Sequence, residues 1–361
     1  MKKKWIILIV GIMLIFPFKI AAIDTSATSA ILMDMDSNRI IYSKNIHNIR
    51  SVASISKIMT AHVAIKYGNI KQKVIIGDEI LKAYGSGIYI KQGEKMTLQD
   101  LLYGLMLRSG NDAALSIAKN VAGSTEAFVA KMNQEAKAIG MKNTTFNNPS
   151  GLDEEEGNFS TSYDMALLMS EAMKNSMFRK ITGTKVYKLD TNKNNYVWTN
   201  KNKLLRTYKY STGGKTGFTV KARRTLVTTA KKNNLNLVVV TLNDGNDFLD
   251  HKELFEYGFK YYKSYDILKK GNFNIPQDEY YKNYNFYLKD SFKYSLLEKE
   301  KDNIILKIDL DKKRDINVKK PVGKINVLLG EDVIHTQDIF VVKKEEKKNF
   351  IDKLIDWINR L

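Results

Sequence analysis

The segment from Ile49 to Gly68 constrains the fold of this chain most, because it combines a helical apolar pattern with a hydroxyl–amine pair. Its apolar residues recur at spacings of three and four, at Ile58, Met59, Ala61, Val63 and Ile65. That period predicts a buried helix that begins near Ser54 and ends at Gly68. Residues three apart are neighbours on a helix, so we expect the Lys57 amine to reach the Ser54 hydroxyl.

This pair can supply a nucleophile together with its base. A lysine held in an apolar setting favours its neutral form, and a neutral amine can take the proton of a neighbouring hydroxyl. The helix N-terminus also favours negative charge nearby, which suits an oxyanion at the first turn. The alternative is a helix cap followed by a solvated lysine, because a lysine-rich chain contains Ser-x-x-Lys spacings by chance. The interpretation therefore depends on other motifs.

Composition sets the scale of the protein and excludes cysteine chemistry. A chain of 361 residues predicts about two domains, and a hydrophobic content of 43% is enough for a large core. The absence of cysteine excludes disulfides, thiolate metal sites and cysteine nucleophiles. The four histidines are scattered and lack a His-Glu-x-x-His spacing, so no metal site is predicted at His47, His62, His251 or His335.

The N-terminus predicts a secretory signal peptide over residues 1–22. A positively charged segment, Met1–Trp5, precedes an apolar segment from Ile6 to Phe18. The small residues Ala21 and Ala22 follow and provide a cleavage site after Ala22. An uncleaved anchor is the alternative, because Ile20 rather than a small residue lies at the third position before the expected cleavage point. Cleavage removes four lysines and takes the net charge from +19 to +15. We expect such a basic exported chain at lipid headgroups or cell-wall polymers and not on nucleic acid.

Local patterns predict the elements of a first domain, residues 23–265. Two apolar runs, Thr28–Met35 and Arg39–Lys44, predict a hairpin around a polar turn. Four further helices are predicted from their capping residues, Thr97, Asn111, Ser124 and Ser162. Strands and a closing helix are predicted at Lys185–Leu189, Thr225–Ala230, Leu235–Leu242 and Asp247–Tyr262. The loop between the last two strands is expected at Lys231–Asn234.

The character of the sequence changes near Asp266. Short alternating runs predict a small all-β domain over residues 266–343, with strands at Tyr284–Leu288, Ile304–Leu310, Ile325–Leu329 and Asp338–Val342. The last segment, 344–361, is amphipathic, with Phe350, Ile351, Leu354, Ile355, Ile358 and Leu361 on one face. It is too short to span a bilayer, so we expect it to lie in the interface of an anionic membrane. Packing on the β domain is the alternative.

Two further motifs accompany the hydroxyl–amine pair. Ser109-Gly110-Asn111 lies between two predicted helices, where a loop can present a hydroxyl and an amide to a cleft. Lys215-Thr216-Gly217 leads into an extended run, where it offers a cation, a hydroxyl and a position without a side chain that lets a substrate backbone lie alongside. Each motif alone is compatible with a loop or turn. All three in this order are typical of β-lactamases and penicillin-binding proteins.

With these motifs, the chain resembles the low-molecular-mass penicillin-binding proteins, which are serine-type D-alanyl-D-alanine carboxypeptidases. The resemblance covers nearly the whole chain, and the matching stretches include Ala30–Asp34, Ser54–Lys57, Arg108–Asp112, Asn148–Asp153, Ser160–Asp164 and Gly214–Thr219. Lys221–Leu226 and Asp250–Leu254 resemble the branch found in spore-forming bacteria. The chain departs from the family at Ser150, where other members often have a histidine.

The resemblance implies a fold and an activity. The fold class is α/β (α+β), of the β-lactamase and penicillin-binding transpeptidase type. An antiparallel sheet is flanked by helices and followed by a small all-β domain and an amphipathic C-terminal helix. The expected activity is removal of the terminal D-alanine from peptidoglycan stem pentapeptides, with β-lactams as covalent inhibitors and without a metal or organic cofactor. The expected location is the outer face of the cytoplasmic membrane or the cell wall.

The resemblance also implies the roles of the catalytic residues. Ser54 is expected to be the acylated nucleophile and Lys57 its general base. Ser109 is expected to relay a proton to the leaving D-alanine, or from water during deacylation. Asn111 is expected to hold both the substrate amide and Lys57.

A second set of residues is implied in substrate binding. Lys215, Thr216 and Thr219 are expected to bind the terminal carboxylate of the substrate beside Gly217. The N–H groups of Phe218 and of the nucleophile are expected to form the oxyanion hole. The Gly85-Ser86-Gly87 loop is expected to line the same cleft.

Three alternatives use the same scaffold. A transpeptidase differs from the carboxypeptidase in transferring the acyl group to an amine acceptor instead of water, and an endopeptidase differs in the peptide bond that it cleaves. A class A β-lactamase would carry Ser-Asp-Asn where this chain has Ser-Gly-Asn, and would need a glutamate to activate water, for which only the 153–156 cluster is available. A catalytically inactive wall-binding scaffold is the non-enzymatic alternative.

Overall fold

A computed structural model describes residues 23–153, 157–275, 279–311 and 316–344. The predicted signal peptide and all but the first residue of the predicted C-terminal helix lie outside these ranges. Among the helices of the described residues, none combines the length and the apolar character needed to cross a membrane.

Helices and strands alternate through the first part of the chain. In chain order they are β1 (Ser29–Asp34), β2 (Ile40–Lys44), β3 (Arg50–Ser51), α1 (Lys57–Tyr67), β4 (Lys73–Ile75), β5 (Lys95–Thr97), α2 (Leu98–Tyr103), α3 (Asn111–Ala122), α4 (Thr125–Ile139), β6 (Phe159–Ser160), α5 (Ser162–Ala172), α6 (Ser176–Gly183), β7 (Val186–Asp190), β8 (Asn195–Thr199), α7 (Leu204–Thr207), β9 (Ser211–Thr219), β10 (Arg223–Lys232), β11 (Leu235–Leu242) and α8 (Asp247–Tyr261). Short 3-10 or π segments lie at Ala53–Ser56, Asp78–Lys82 and Gly104–Arg108.

The sheet that organises this region has the antiparallel strand order β2-β1-β11-β10-β9. Its central strands are buried on both faces because helices cover each side. Ile31 and Met33 of β1 face the large core that includes α1 and α5, whereas Leu32 faces a second core with Leu254 and Phe255 of α8. The sheet therefore holds α1 on one face and presents β9 at its edge.

Most of the predicted elements are confirmed, with shifts of one or two residues. The predicted first hairpin forms β1 and β2, and Leu235–Leu242 is β11. Thr97 and Ser124 cap α2 and α4 as predicted. The caps of α3 and α5 are Gly110 and Thr161, one residue before the predicted Asn111 and Ser162.

The strand pair β10–β11 turns more tightly than predicted. Its loop is Asn233-Asn234, two residues that both adopt a left-handed φ, whereas the sequence predicted the four residues of Lys231–Asn234. Asparagine tolerates that conformation better than most residues, so the two-residue turn is favoured.

The later part of the chain is β-rich. Its strands are β12 (Tyr262–Leu268), β13 (Gly271–Phe273), β14 (Tyr284–Leu288), β15 (Phe292–Leu297), β16 (Ile304–Leu310), β17 (Gly323–Leu329) and β18 (Asp332–Lys343). Strands β13-β14-β18-β17-β16 form one antiparallel sheet, and β12 pairs with β15. The four predicted strands are present, β18 being longer than predicted, and β12, β13 and β15 were not predicted.

One arginine joins the two parts. Arg39, at the turn before β2, makes a two-pronged salt bridge with Glu300 at 2.7 and 2.8 Å. It also donates to the Ser295 carbonyl at 2.6 Å, and its guanidinium lies 5.2 Å from the ring centres of Tyr262 and Tyr294. This bidentate, aromatic-flanked geometry is the kind that makes an ion pair stabilising.

Candidate active site

Ser54 lies on the 3-10 turn that leads into α1 at Lys57. The helix ends at Tyr67 and Gly68 follows it, as predicted. The turn keeps Ser54 and Lys57 close, and the Lys57 Nζ donates to the Ser54 Oγ at 3.1 Å. The contact expected from the three-residue spacing is therefore formed.

A glycine permits the close packing around this turn. Ala53, just before the serine, adopts a left-handed φ of 49°, and Gly151 has a φ of 81°. A Cβ on Gly151 would lie 2.1 Å from the Ala53 carbonyl oxygen. The loop that contains Gly151 can approach the turn this closely only because it has no side chain there.

Lys57 is fully buried and surrounded by acceptors. Besides Ser54, its Nζ donates to the Asn111 Oδ1 at 2.7 Å and to the Ser150 carbonyl. Burial lowers the pKa of Lys57 to about 7, and the charge of Lys201 adds to this effect, while Asp112 opposes it. A lysine with a pKa near 7 is neutral often enough at neutral pH to act as a base.

Ser109 and Asn111 lie on opposite sides of a sharp reversal of the chain. The π-helical segment Gly104–Arg108 ends at Ser109, which adopts a left-handed φ of 67°, and α3 begins two residues later. The Ser109 Oγ accepts from the Lys215 Nζ at 3.0 Å, and the Asn111 Oδ1 accepts from Lys57. The Asn111 Nδ2 donates to the Tyr84 carbonyl at 2.6 Å.

Lys215 is the second buried lysine of the site. It lies on β9, is 1% exposed, and also donates to the Thr216 carbonyl at 2.7 Å. Its pKa lies well below the usual range, first because of burial and then because of the charges of Lys57 and Lys201. Three lysine amines thus converge here, and an anionic ligand beside them would favour their charged forms.

Strand β9 passes directly beside the nucleophile. A Cβ on Gly217 would lie 3.0 Å from the Ser54 backbone nitrogen and 2.4 Å from the Thr225 Oγ1. Glycine is therefore required at this position. The next residue on β9, Phe218, is 61% exposed.

The Thr219 hydroxyl, which was expected to bind the substrate carboxylate, already has partners within the protein. It donates to the Asp153 Oδ2 at 2.7 Å and accepts from the Ala222 N–H at 3.0 Å. Asp153 also accepts from the Ser51 hydroxyl at 2.8 Å. Within the 153–156 cluster considered for the β-lactamase alternative, Asp153 thus links the nucleophile segment to β9, and the three glutamates at 154–156 lie outside the described residues.

Two charged residues were missed by sequence reasoning. Asp112 is buried and accepts from the backbone N–H groups of Ile88 at 3.0 Å and Tyr89 at 2.7 Å, which fixes the loop that contains Ser86. Lys201 follows β8, and its Nζ lies 3.5 Å from the Ser86 Oγ. The adjacent Ser109-Gly110-Asn111 motif could have drawn attention to Asp112, but no local pattern signals Lys201, which reaches the cleft from a distant hairpin.

The Gly85-Ser86-Gly87 loop lies where it was expected, beside Asn111. The Ser86 carbonyl accepts from the Asn111 N–H at 2.7 Å. In the part of the chain that the structure describes, no cluster of three or more His, Cys, Asp or Glu side chains could hold a metal ion. The cleft residues themselves supply hydroxyls, buried amines and backbone N–H donors.

Comparison with known proteins identifies the family. Residues 17–246 match the family profile described as D-alanyl-D-alanine carboxypeptidase. The chain belongs to the D-alanyl-D-alanine carboxypeptidase family, as the three motifs predicted. Members of this family are peptidases, which are hydrolases, so the predicted enzyme class is confirmed as well.

Individual relatives agree with this family. The chain is 36% identical over 253 residues to the D-alanyl-D-alanine carboxypeptidase DacF of Bacillus subtilis, over 68% of this chain and 65% of that protein. It thus spans slightly less than two thirds of that relative's length. It is 28% identical over 368 residues to DacA of Escherichia coli, over 92% of this chain and 87% of that protein.

The fold has solved counterparts. The structure of penicillin-binding protein 5 from Haemophilus influenzae matches with a TM-score of 0.77 at 24% identity, over 90% of this chain and 98% of that one. The similarity therefore includes the β-rich region. The predicted fold class, an antiparallel sheet flanked by helices and followed by an all-β part, is confirmed.

Proposed function

We propose that this protein is a serine D-Ala-D-Ala carboxypeptidase that removes the terminal D-alanine from peptidoglycan stem pentapeptides through an acyl-enzyme at Ser54. The observation that carries the proposal is the presence of two hydroxyl–lysine pairs with buried lysines, Ser54–Lys57 and Ser109–Lys215. The family and its carboxypeptidase relatives support the reaction and the substrate.

The first step is attack on the penultimate D-alanine. Neutral Lys57 takes the proton of the Ser54 hydroxyl, and the Oγ adds to the carbonyl carbon of the scissile amide. The resulting oxyanion accepts from the backbone N–H groups of Ser54 and Phe218, which supply fixed donors where charge develops. The closeness of Gly217 to the Ser54 nitrogen supports this pairing of donors.

The second half of acylation releases D-alanine. The C–N bond breaks as the Ser109 hydroxyl gives its proton to the leaving nitrogen, and Ser109 recovers a proton that originates from protonated Lys57. Lys215 and Thr216 bind the terminal carboxylate, with Thr219 at the edge of this subsite. Lys201, exposed nearby, adds positive charge. Water then attacks the ester carbon as Lys57 takes one of its protons. The bond between that carbon and the Ser54 Oγ breaks, and Lys57 returns the proton to the Oγ, which restores the hydroxyl.

The experiment that tests this function combines mass spectrometry with product release. The soluble protein is incubated with benzylpenicillin, and intact mass is measured for wild type, Ser54→Ala and Ser56→Ala. Ser56 is the matched control, because its hydroxyl donates to the Ala53 carbonyl at 2.5 Å, whereas the Ser54 hydroxyl accepts from Lys57. We expect one penicillin adduct in wild type and Ser56→Ala and none in Ser54→Ala, with D-alanine release following the same pattern.

Other outcomes identify the alternatives. Consumption of penicillin without an adduct indicates a β-lactamase, and intact penicillin without an adduct indicates an inactive scaffold. Cross-linked product after addition of an amine acceptor indicates a transpeptidase, and cleavage of cross-linked peptides indicates an endopeptidase. D-alanine release that persists in Ser54→Ala would contradict the proposal.

We also propose the location and the domain division predicted from the sequence. Residues 1–22 are a signal peptide, 23–265 the catalytic domain, 266–343 the β domain, and 344–361 an amphipathic helix that binds an anionic membrane surface. The cell-wall substrate of the proposed reaction supports export. Deletion of residues 344–361 should release the mature protein from vesicles that contain anionic lipid, and unchanged binding would contradict the anchor.

A further inference from the structure

A cavity of about 450 Å³ opens at the end of the sheet β2-β1-β11-β10-β9 that is remote from the nucleophile. Its wall joins the start of β9 at Thr212, the end of β10 at Lys231 and the turn between β1 and β2 at Asp36, together with parts of α5 and α6. Thr212 lies five residues before Gly217, which is about 17 Å at 3.4 Å per residue of an antiparallel strand. The cavity is therefore separate from the catalytic centre, and its volume is within the range of ligand sites in proteins.

Three cations lie on the wall of this cavity, and one of them is held in place by the backbone. The three are Lys174, Arg179 and Lys231. The Arg179 Nη1 donates to the Met173 carbonyl at 2.6 Å and to the Lys174 carbonyl at 2.8 Å. These two bonds fix the guanidinium at the C-terminal end of α5, and they use the hydrogens of Nη1 alone. The N–H groups of Nε and Nη2 therefore remain available to a ligand.

Acidic groups compensate this positive charge only in part. Glu171 forms a salt bridge with Lys174 at 2.7 Å. Asp36 is the only acidic residue among the described residues that line the cavity, and it accepts from the Asn236 Nδ2 at 2.7 Å. Within the described part of the chain, Arg179 and Lys231 form no salt bridge. The cavity thus keeps two uncompensated cations, from α6 and from β10, and these attract an anion.

The two cations suit a phosphate group in particular. An arginine binds phosphate through two parallel N–H···O bonds, and a lysine adds a point charge beside it. Binding to a membrane surface instead relies on apolar side chains that enter the lipid. None of the exposed large apolar side chains of the described residues lines this cavity. A recessed cationic cavity without such side chains favours one phosphate group on a flexible chain over a bilayer.

We propose that this cavity binds a phosphate group of an anionic polyol phosphate or sugar phosphate polymer, through Arg179 on α6 and Lys231 on β10. The net charge of +19 and the expected contact of this basic exported chain with cell-wall polymers agree with such a ligand. Because the cavity and the nucleophile lie at different ends of β9, the polymer can be held while the catalytic cleft stays open. This binding does not depend on the proposed reaction.

Two neighbouring lysines provide the test. Isothermal titration calorimetry at constant ionic strength measures the binding of a glycerol phosphate oligomer to the soluble protein. Lys231→Met removes an exposed cation from the cavity, so the oligomer should bind roughly two- to fivefold more weakly. Lys232→Met is the matched control, because it changes the net charge equally. The Lys232 side chain lies on the other face of the sheet, with its Nζ 4.9 Å from the Tyr210 ring centre, so the control should bind as wild type does.

A second variant tests the arginine. Arg179→Lys keeps the charge and removes the fork of N–H donors, so it should weaken binding of the oligomer by a similar factor. Acylation by a fluorescent penicillin at the wild-type rate shows that each variant is folded, because neither residue lies near the nucleophile.

The outcomes decide both the site and the source of the phosphate. Weaker binding in Lys231→Met and Arg179→Lys but not in Lys232→Met supports the site. Equal weakening in the two lysine variants, or no binding to wild type, overturns it. Cosedimentation with phosphatidylglycerol vesicles supplies the other arm. Dependence on Lys231 with vesicles and not with the oligomer would overturn the polymer as the ligand in favour of a membrane surface. Absence of D-alanine release would overturn the carboxypeptidase function and leave these binding results unaffected.

Discussion

The two halves of the active site are built alike and yet differ in what surrounds each lysine. In both, a buried lysine donates to a serine hydroxyl, at 3.1 Å for Lys57–Ser54 and 3.0 Å for Lys215–Ser109. Lys57 is held by three acceptors from three segments, whereas Lys215 donates to Ser109 and to the carbonyl of its own neighbour, Thr216.

This difference suits the two lysines to different tasks. Burial lowers the pKa of both, but it leaves that of Lys57 at about 7, where a base can exchange its proton at neutral pH. Lys215 lies near two other lysines, Lys57 and Lys201, whose charges lower its pKa, and a bound carboxylate would favour its charged form. We therefore expect Lys57 to determine the rate of bond making and Lys215 to determine substrate binding.

Removal of the Lys57 amine is expected to have the largest effect. Lys57→Met leaves the Ser54 hydroxyl without a base, so penicillin acylation should fall by about a thousandfold. Stopped-flow acylation by a fluorescent penicillin measures the rate. Lys66→Met, on the exposed side of the same helix, is the control and should acylate normally. If Lys57→Met is acylated at the wild-type rate, another group must act as the base.

Removal of the Lys215 amine should act mainly on binding. In Lys215→Met, the terminal carboxylate loses its buried cation, and kcat/KM for D-Ala-D-Ala peptides should fall by about a hundredfold, mostly through KM. Steady-state kinetics of D-alanine release separates the two constants. A loss confined to kcat would mean that Lys215 acts in proton transfer through Ser109, and the contrast between the halves would disappear.

The pH dependence tests the assignment of the base. The neutral amine of Lys57 is the active form, so acylation should rise with pH, reach half its maximum near pH 7 and level off above it. The charge of Lys201 helps to lower the pKa of Lys57, so Lys201→Met should raise that pKa and move the curve to higher pH.

A neighbouring arginine provides the control for this shift. Arg108 affects the pKa of Lys201 and is absent from the causes of the Lys57 shift, so Arg108→Met should leave the curve of acylation against pH nearly unchanged. The initial rate of acylation between pH 5 and pH 9 (roughly, the range that brackets the Lys57 pKa) gives each curve. A midpoint that Lys201→Met does not move would exclude electrostatic coupling between the two lysines.

Sequence reasoning succeeded where the relevant geometry is local. The Ser54–Lys57 contact follows from helical spacing, and the caps at Thr97 and Ser124 follow from side chains that satisfy backbone N–H groups. The short helix α6, Ser176–Gly183, was missed although Asn175 caps it, because it has only about two turns of apolar pattern.

The remaining features depend on contacts between distant segments. Lys201 influences Lys57 and Lys215 only because the β7–β8 hairpin folds back to the cleft, where the Lys201 N–H donates to the Leu107 carbonyl at 3.1 Å. The engagement of Thr219 by Asp153 likewise joins residues 66 positions apart. Neither has a periodic or spacing signal in the sequence.

The smallest expected effect concerns Ser150, where the sequence analysis expected a departure from the family. Its carbonyl, not its side chain, accepts from Lys57, while its hydroxyl donates to the Asn148 Oδ1 at 3.0 Å within the same turn. Ser150→Ala should therefore keep penicillin acylation within about twofold and lower the free energy of unfolding by about 1 kcal/mol, the net value of one hydrogen bond. Urea denaturation and acylation kinetics measure the two quantities. Because Lys57 contacts the Ser150 backbone and not its side chain, this side chain can vary without loss of the contact. A large acylation defect would show instead that the side chain holds the turn that positions Lys57. The Lys57 half of the site would then tolerate less change than its three acceptors suggest.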